Sequence, residues 1–284
     1  MTTSPDSFTR FPRGLIQPQG SFRFSEDALL LAAFAMESVL LQETSPASFR
    51  RLTESPWIDL GTGCGVVGLA ALLLAGLPPA SDRPDTAASV STPSEMPAKP
   101  FCCGLDYSPE LVKAARDNAR NLGLEQYFTA ELVDFASPEW PHEASMLRKL
   151  HGRASLVLAN PPWRLKGSGR MPVTASRRNA LFGDVHTFPL FVRAAASLLD
   201  SDGHFVCVIG SARLPDMLAA LQDMAFNLLR MRFVHPSEKA PAVWVLIEAR
   251  RTGHTPLQTE APLILYDPDG RPSAASLEFC PFLR

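Results

Sequence analysis

Several features that would settle a class at once are scarce in this 284-residue sequence. Net charge is only −2 and the pI about 6.3, so no overall basic field announces nucleic acid, and any such surface must be a local patch. Cysteine is sparse and odd in number: the five residues at 64, 102, 103, 207 and 280 sit mostly inside apolar runs, without metal-ligand spacing. That pattern offers no disulfide framework and no metal site, and it fits a reduced cytosolic protein. The opening MTTSPDSF lacks the basic-then-apolar pattern of a secretion signal. The longest apolar runs, around 28–36 and 66–77, are too short to span a bilayer. No internal repeat is present. The expectation is a soluble, cytoplasmic protein with one α/β domain of ordinary size, or at most two small ones.

What is present centres on residues 57–77, WIDLGTGCGVVGLAALLLAGL. Trp57-Ile58-Asp59-Leu60 suits one buried strand; Gly61-Thr62-Gly63-Cys64-Gly65 follows, then an apolar segment of helix length. Strand, glycine loop and helix form a geometry for a nucleotide-like ligand, because glycine admits close approach and positive φ. Gly63-x-Gly65-x-x-Gly68 satisfies the dinucleotide fingerprint, a weak signal alone. Asp59 stands two residues before the first glycine. A carboxylate there meets a cationic ligand, or orders the loop by accepting N–H groups and capping the helix; a pyrophosphate would be repelled by it.

The rest of the chain supplies a sheet around this loop. Residues 1–20 read as irregular, with Arg10 and Arg13; Phe22-Arg23-Phe24 reads as a short strand, and Ser25 as the cap of a helix over 26–41 opened by Glu26 and Asp27. A polar linker spans 42–55. Residues 78–100 hold six prolines and no aromatic residue, the composition of a flexible insertion. With that segment set aside, Asp106 follows Gly63 by about 20 residues, where a Rossmann-like fold places its ribose-binding acid. A second strand over 101–105 ends at Asp106. Ser108-Pro109-Glu110 then starts a helix whose shared face is Leu111, Ala114, Ala115, Asn118 and Leu122, ended by Gly123. Strands over 127–133 and 155–159 deliver Asp134 and Asn160. A helix over 188–199, a turn at 200–203, a strand over 205–209, a helix over 214–224 and strands over 228–234 and 243–248 complete the pattern.

This alternation predicts an α/β fold with a doubly wound, mostly parallel Rossmann-like sheet ending in an antiparallel strand pair. The organisation reads as an N-terminal extension with a strand and a helix (1–55), a core (56–250) carrying the insertion at 78–100, and a tail (251–284) without a catalytic signature. Ligands of such sheets sit at the carboxyl ends of the strands, so Asp59, Asp106, Asp134 and Asn160 should rim one crevice.

Asn160-Pro161-Pro162-Trp163 is the second chemical signal. Two prolines remove two N–H donors and fix the backbone. The Asn side-chain oxygen and the Pro161 carbonyl can then accept two hydrogen bonds from one planar NH₂ group. Such an amine is a poor nucleophile until its lone pair is localised, and two positioned acceptors do this without a metal or a strong base. Trp163 gives a face for stacking a base, worth roughly 1–3 kcal/mol. A proline-rich turn with a core tryptophan is the alternative.

The Asp-x-Gly-x-Gly-x-Gly loop resembles the first motif of S-adenosylmethionine (SAM) methyltransferases, and Asn-Pro-Pro-aromatic after the fourth strand resembles their amino-group-modifying members. More narrowly, Gln17-Pro18, Phe22-Arg23-Phe24-Ser25-x-Asp27-Ala28-x-Leu30-Leu31, the glycine loop, Asp106, Asn160-Pro161-Pro162 and Val234-His235-Pro236 resemble the bacterial tRNA(Val) adenine methyltransferase family over most of the chain. The resemblance implies the class I SAM methyltransferase fold, SAM as cofactor, and transfer to the exocyclic amine of an adenine beside an anticodon. By it, Asp59, Gly61, Thr62, Gly63 and Gly65 would hold the methionine part, with Asp27 nearby. Asp106 and Tyr107 would take the ribose, Asp134 and Phe135 the adenine, and Asn160 would border both ligands. Two departures are Trp163, where Tyr or Phe is usual, and Ala180-Leu181-Phe182-Gly183-Asp184 in place of an Ala-Arg-x-Glu-like segment.

Arg164, Lys166, Arg170, Arg177 and Arg178 follow with no acid among them, a basic loop suited to gripping RNA phosphates beside a flipped base, or else a solvated surface. Arg10, Arg13 and Arg23 would add to it. Within the same class, a glutamine methyltransferase of release factors and a guanine-amino methyltransferase of ribosomal RNA share the motif. A non-catalytic SAM-binding partner module is the non-enzymatic alternative. A nicotinamide dehydrogenase is disfavoured by Asp59 and by the lack of a His, Lys or Tyr catalytic constellation.

Overall fold

The structure is a computed structural model that describes residues 10–21, 23–41, 54–76, 101–135, 137, 140, 145–162, 164–165, 182–183, 186–253 and 255–284. Helix α1 (Glu26–Leu41) is followed by β1 (Trp57–Leu60), α2 (Val66–Leu74), β2 (Cys102–Asp106), α3 (Pro109–Asn121), β3 (Phe128–Leu132), α4 (Ser145–Leu150) and β4 (Ala154–Ala159). Two-residue strands β5 (Arg164–Leu165) and β6 (Phe182–Gly183) pair with each other. Then come α5 (Thr187–Leu198), β7 (Leu199–Gly210), α6 (Leu214–Asp223), β8 (Asn227–His235), β9 (Trp244–Arg250), β10 (Gln258–Thr259), β11 (Leu263–Ile264) and α7 (Ala274–Phe279).

The main sheet runs β3-β2-β1-β4-β7-β9-β8, with β10 and β11 both pairing with β8. From β3 to β7 all pairings are parallel; β9 lies antiparallel between β7 and β8. The mostly parallel Rossmann-like sheet with an antiparallel pair is therefore as expected. Its central strands are apolar on both faces, as a sheet covered on both sides requires. Trp57 packs in the core with α1, α2 and α3, whereas Ile58 and Leu60 pack in the opposite core with α5 and α6. Helix α1 is buried nearly all round from Ala28 to Met36, because it lies between α2 and the sheet. Among the described residues, no helix is long and apolar enough to cross a membrane. All five cysteines are free and buried.

Two expectations are corrected. Arg23 and Phe24 are irregular rather than strand, and Phe24 packs on the core directly ahead of α1; Phe22 lies outside the described residues. Strand β7 starts at Leu199, so the expected turn at 200–203 is a bulge inside it. The partner on β7 jumps from Leu199 to His204 while β4 advances only from Ala154 to Leu156. Gly203 sits in that bulge because a Cβ there would come within 2.7 Å of the Ala154 carbonyl oxygen. Residues 251–284, read only as a tail, extend the sheet and seat the N-terminal region. The Tyr266 hydroxyl donates to Glu26 (2.5 Å), the Cys280 thiol to the Leu29 carbonyl (3.6 Å), and Phe282 stacks edge-on against Phe11. The segment expected as an insertion, 78–100, lies outside the described residues.

Candidate active site

Register alone brings the two chemical motifs together. Leu60 pairs with Leu105 on one side and with Ala159 on the other, so the chain leaves β1 at Gly61 and β4 at Asn160 side by side. Adjacent strands stand about 4.8 Å apart. Asp106 closes β2 opposite Leu132, and Asp134 follows β3 by two residues. Strand order reverses between β1 and β4, where an open α/β sheet forms its ligand crevice.

Of the two roles open to Asp59, the geometry displays loop ordering. The residue is 1% exposed, and its Oδ2 accepts the Thr62 hydroxyl (2.6 Å) and the Gly68 N–H (3.1 Å). Gly68 lies in the first turn of α2, so Asp59 caps a helix that has no capping side chain of its own. Thr62 is likewise turned inward: the Cβ that Gly104 lacks would come within 2.6 Å of the Thr62 hydroxyl oxygen. Burial pushes the Asp59 carboxyl up to about 6, against both hydrogen bonds, with a smaller contribution from Asp106. A buried acid at the start of α2 is the opposite of a pyrophosphate seat. Gly61, Gly63 and Gly65 all take positive φ. Gly63 alone of the three has nothing within 4 Å of where a Cβ would stand, so the loop's open side is there.

Asp106 closes the loop from β2. Its Oδ2 accepts the Gly63 N–H and its Oδ1 the Ser108 N–H, both at 2.9 Å. Burial raises its carboxyl, opposed by these N–H donors. Tyr107 beside it is 54% exposed and Asp134 is exposed. Phe135 is buried, edge-on to both Trp140 and Phe191. Phe191 in turn lies against Gly61, where a Cβ would meet its ring at 3.2 Å.

Asn160 is partly buried and Pro161 buried. The Asn160 amide nitrogen donates to Asp27 Oδ2 (3.1 Å), and the Ser25 hydroxyl donates to Asp27 Oδ1 (2.5 Å). Ser25 thus spends its hydroxyl on Asp27. Trp163, Lys166, Arg170, Arg177 and Arg178 lie outside the described residues, and Arg164 is described only as part of β5. Arg10, Arg13 and Arg23 are exposed. Among the described residues no cluster could hold a metal ion.

Two residues gained importance that their sequence reading did not give them. Asn118, fully buried on α3, donates to the carbonyls of Ile16 (3.0 Å) and Cys64 (2.9 Å), while its Oδ1 accepts the Ile16 N–H (2.7 Å). It fastens the N-terminal segment onto the glycine loop. An asparagine on an otherwise apolar helix face was the available signal. Gln17, next along that segment, has a buried Oε1 with no hydrogen-bond partner among the described residues.

The order 3-2-1-4 around a glycine loop, with β9 inserted antiparallel, is the class I SAM-dependent methyltransferase fold. No family model matches the chain. It is similar to the curated tRNA1(Val) (adenine(37)-N6)-methyltransferase of Dickeya chrysanthemi (strain Ech1591), with 25% identity over 229 residues, 78% of this chain and 77% of that protein. The resemblance carried by the sequence motifs thus meets a relative of that name. Among solved structures, a predicted O-methyltransferase from Agrobacterium tumefaciens superposes with a TM-score of 0.60 at 18% identity, covering 90% of this chain and 96% of that one. The catalytic domain of hMettl16, solved with the MAT2A 3′UTR hairpin 1, gives 0.54 at 12% identity, covering 89% and 81%.

Proposed function

We propose that the chain transfers a methyl group from SAM to the exocyclic amine of an adenine in tRNA, in the cytoplasm. The observation that carries this reading is the placement of Asn160-Pro161 one strand from the glycine loop, with the Asn160 amide nitrogen already engaged by Asp27. A carboxylate only accepts, so the Asn160 Oδ1 is left as an acceptor for a substrate amine.

The residues present fit SAM. The open side of Gly63, the orphaned Gln17 acceptor and the buried Asp59 suit a ligand with a cationic amino-acid end better than a diphosphate. Asp106, with Tyr107 beside it, would take the ribose, and Asp134 with Phe135 the adenine. When bound, SAM supplies an electrophilic methyl group on a sulfonium. The chain's own part is to align the target: Asn160 Oδ1 and the Pro161 carbonyl accept the two amine protons and localise the nitrogen lone pair. Trp163 would stack the flipped base, and Arg164, Lys166, Arg170, Arg177 and Arg178 would grip phosphates around it. The name of the Dickeya relative and the RNA-bound state of the hMettl16 domain support RNA over a protein glutamine.

Incubation of the protein with radiolabelled SAM and total tRNA from a strain lacking the gene, followed by nucleoside analysis, tests the reading. N6-methyladenosine is expected. Label confined to ribosomal guanine or a release factor, or SAM binding without transfer to any of them, would replace it.

A further inference from the structure

We infer that Asp27 is a positioning residue for Asn160, fixing which way the carboxamide faces, and that it is not a ligand of the cofactor. The inference rests on the function proposed above and deepens it.

An asparagine side chain has a donor end and an acceptor end of nearly equal size, and a half-turn about its last bond exchanges them. For Asn160 the exchange is fatal to the clamp, since an NH₂ group facing the substrate amine would repel its protons. Neither proline beside Asn160 restrains this rotation, because they fix backbone only. Asp27 does. Its carboxylate is 2% exposed and can only accept, so the flipped carboxamide would set oxygen against oxygen at 3.1 Å. Each oxygen of Asp27 is engaged by a different side chain, Ser25 on Oδ1 and Asn160 on Oδ2. Asp27 itself sits at the start of a helix whose next residues, Ala28 to Met36, are all buried. Glu26 is tied to Tyr266, and Leu29 to Cys280. A buried helix with outside ties is a rigid mount for a group that must hold another still. The residue and its target are 133 positions apart in sequence.

The test uses the full-length protein, SAM and tRNA from the deletion strain. In Asp27→Ala, kcat is expected to fall at least 30-fold with the SAM dissociation constant within threefold of wild type. Asp27→Asn keeps a carbonyl for Asn160, and Ser25 can accept as well as donate, so it should recover to within about fivefold of wild type. The pair Asp27→Ala with Asn160→Ala should be no slower than Asn160→Ala alone. A SAM affinity that falls in step with turnover would make Asp27 a cofactor ligand and overturn the inference, as would unchanged kcat or additive losses. A separate measurement does not need catalysis: the Asn160 side-chain NH₂ signals, assigned by their loss in Asn160→Ala, should exchange with solvent slowly in wild type and in Asp27→Asn, and quickly in Asp27→Ala. Fast exchange in wild type overturns the inference even if neither Asp27 variant folds. If wild type binds no SAM and methylates no RNA, the proposed function fails, while slow wild-type exchange still upholds the tether.

Discussion

At the β1–β2 side of the sheet a buried carboxylate is held by uncharged donors, whereas at the β8–β9 side a buried arginine is ringed by carboxylates. Asp59 has only the Thr62 hydroxyl and the Gly68 N–H, and its charge is costly enough to lift its pKa to about 6. Arg230, 2% exposed, pairs with Glu248, Glu37 and Glu260, donates to the Phe34 carbonyl and stacks on the Phe34 ring. Glu248 also meets His204 Nδ1 at 2.7 Å, and Arg232 pairs with Glu260 and Glu37. A crevice of about 470 Å³ opens there, lined by Glu37, Arg230, Arg232 and Glu260. Its charges are spent on one another. The difference separates a staple from a loop anchor: charges that neutralise locally tie α1, β8, β9 and the residue after β10 together, while a lone buried carboxylate folds the glycine loop around itself.

The largest expected effect breaks the staple. Arg230→Ala leaves Glu248, fully buried, without its guanidinium, and should cost about 3–5 kcal/mol in urea unfolding while SAM affinity of the folded fraction stays near wild type. Next is the site: Asn160→Ala should lower methyl transfer by roughly 10²–10³-fold in single-turnover assays, comparable to losing one oxyanion-hole donor, and cost about 1–3 kcal/mol of stability because buried Asp27 loses a donor. Third, Asp59 gives a pH signature. Its folded pKa of about 6 exceeds the ordinary 3.8, so its burial costs nothing below about pH 4, and stability falls as pH rises to about 6. Asp59→Asn should flatten the Tm profile across that window and gain up to about 3 kcal/mol at pH 7; an unchanged slope would show that Asp59 titrates normally. Smallest, Gly104→Ala pushes a Cβ against Thr62 and should cost about 1 kcal/mol, with SAM binding weakened several-fold by the displaced loop.

The parts legible in the sequence were those with local causes. Strand β1, its glycine loop and α2 are contiguous, and Ser108-Pro109-Glu110 carries its own start signal. Accordingly α1 and α3 stand where residue types put them. Two-residue β10 and β11 have no periodicity to detect; only their docking on β8 makes them strands. The bulge in β7 reads as a turn because Asp200 and Gly203 are turn residues in either setting. At the site, the rim of Asp106, Asp134 and Asn160 follows from strand ends. The inward set of Asp59 and Thr62 does not, since it depends on a hollow made by Gly104 some forty residues away. Asp27 near Asn160, and Gln17 beside the loop through Asn118, depend on contacts across 133 and 102 positions, respectively, which residue spacing does not reveal.

The ties from Tyr266 to Glu26 and from Cys280 to Leu29 also set an order of events during synthesis. The helix bearing Asp27 emerges early, but the groups that pin its first turn lie about 240 and 251 positions downstream. A growing chain can build the glycine loop and pair its first strands well before that. The tether behind Asn160 reaches its final rigidity only after residues 266–280 have left the ribosome.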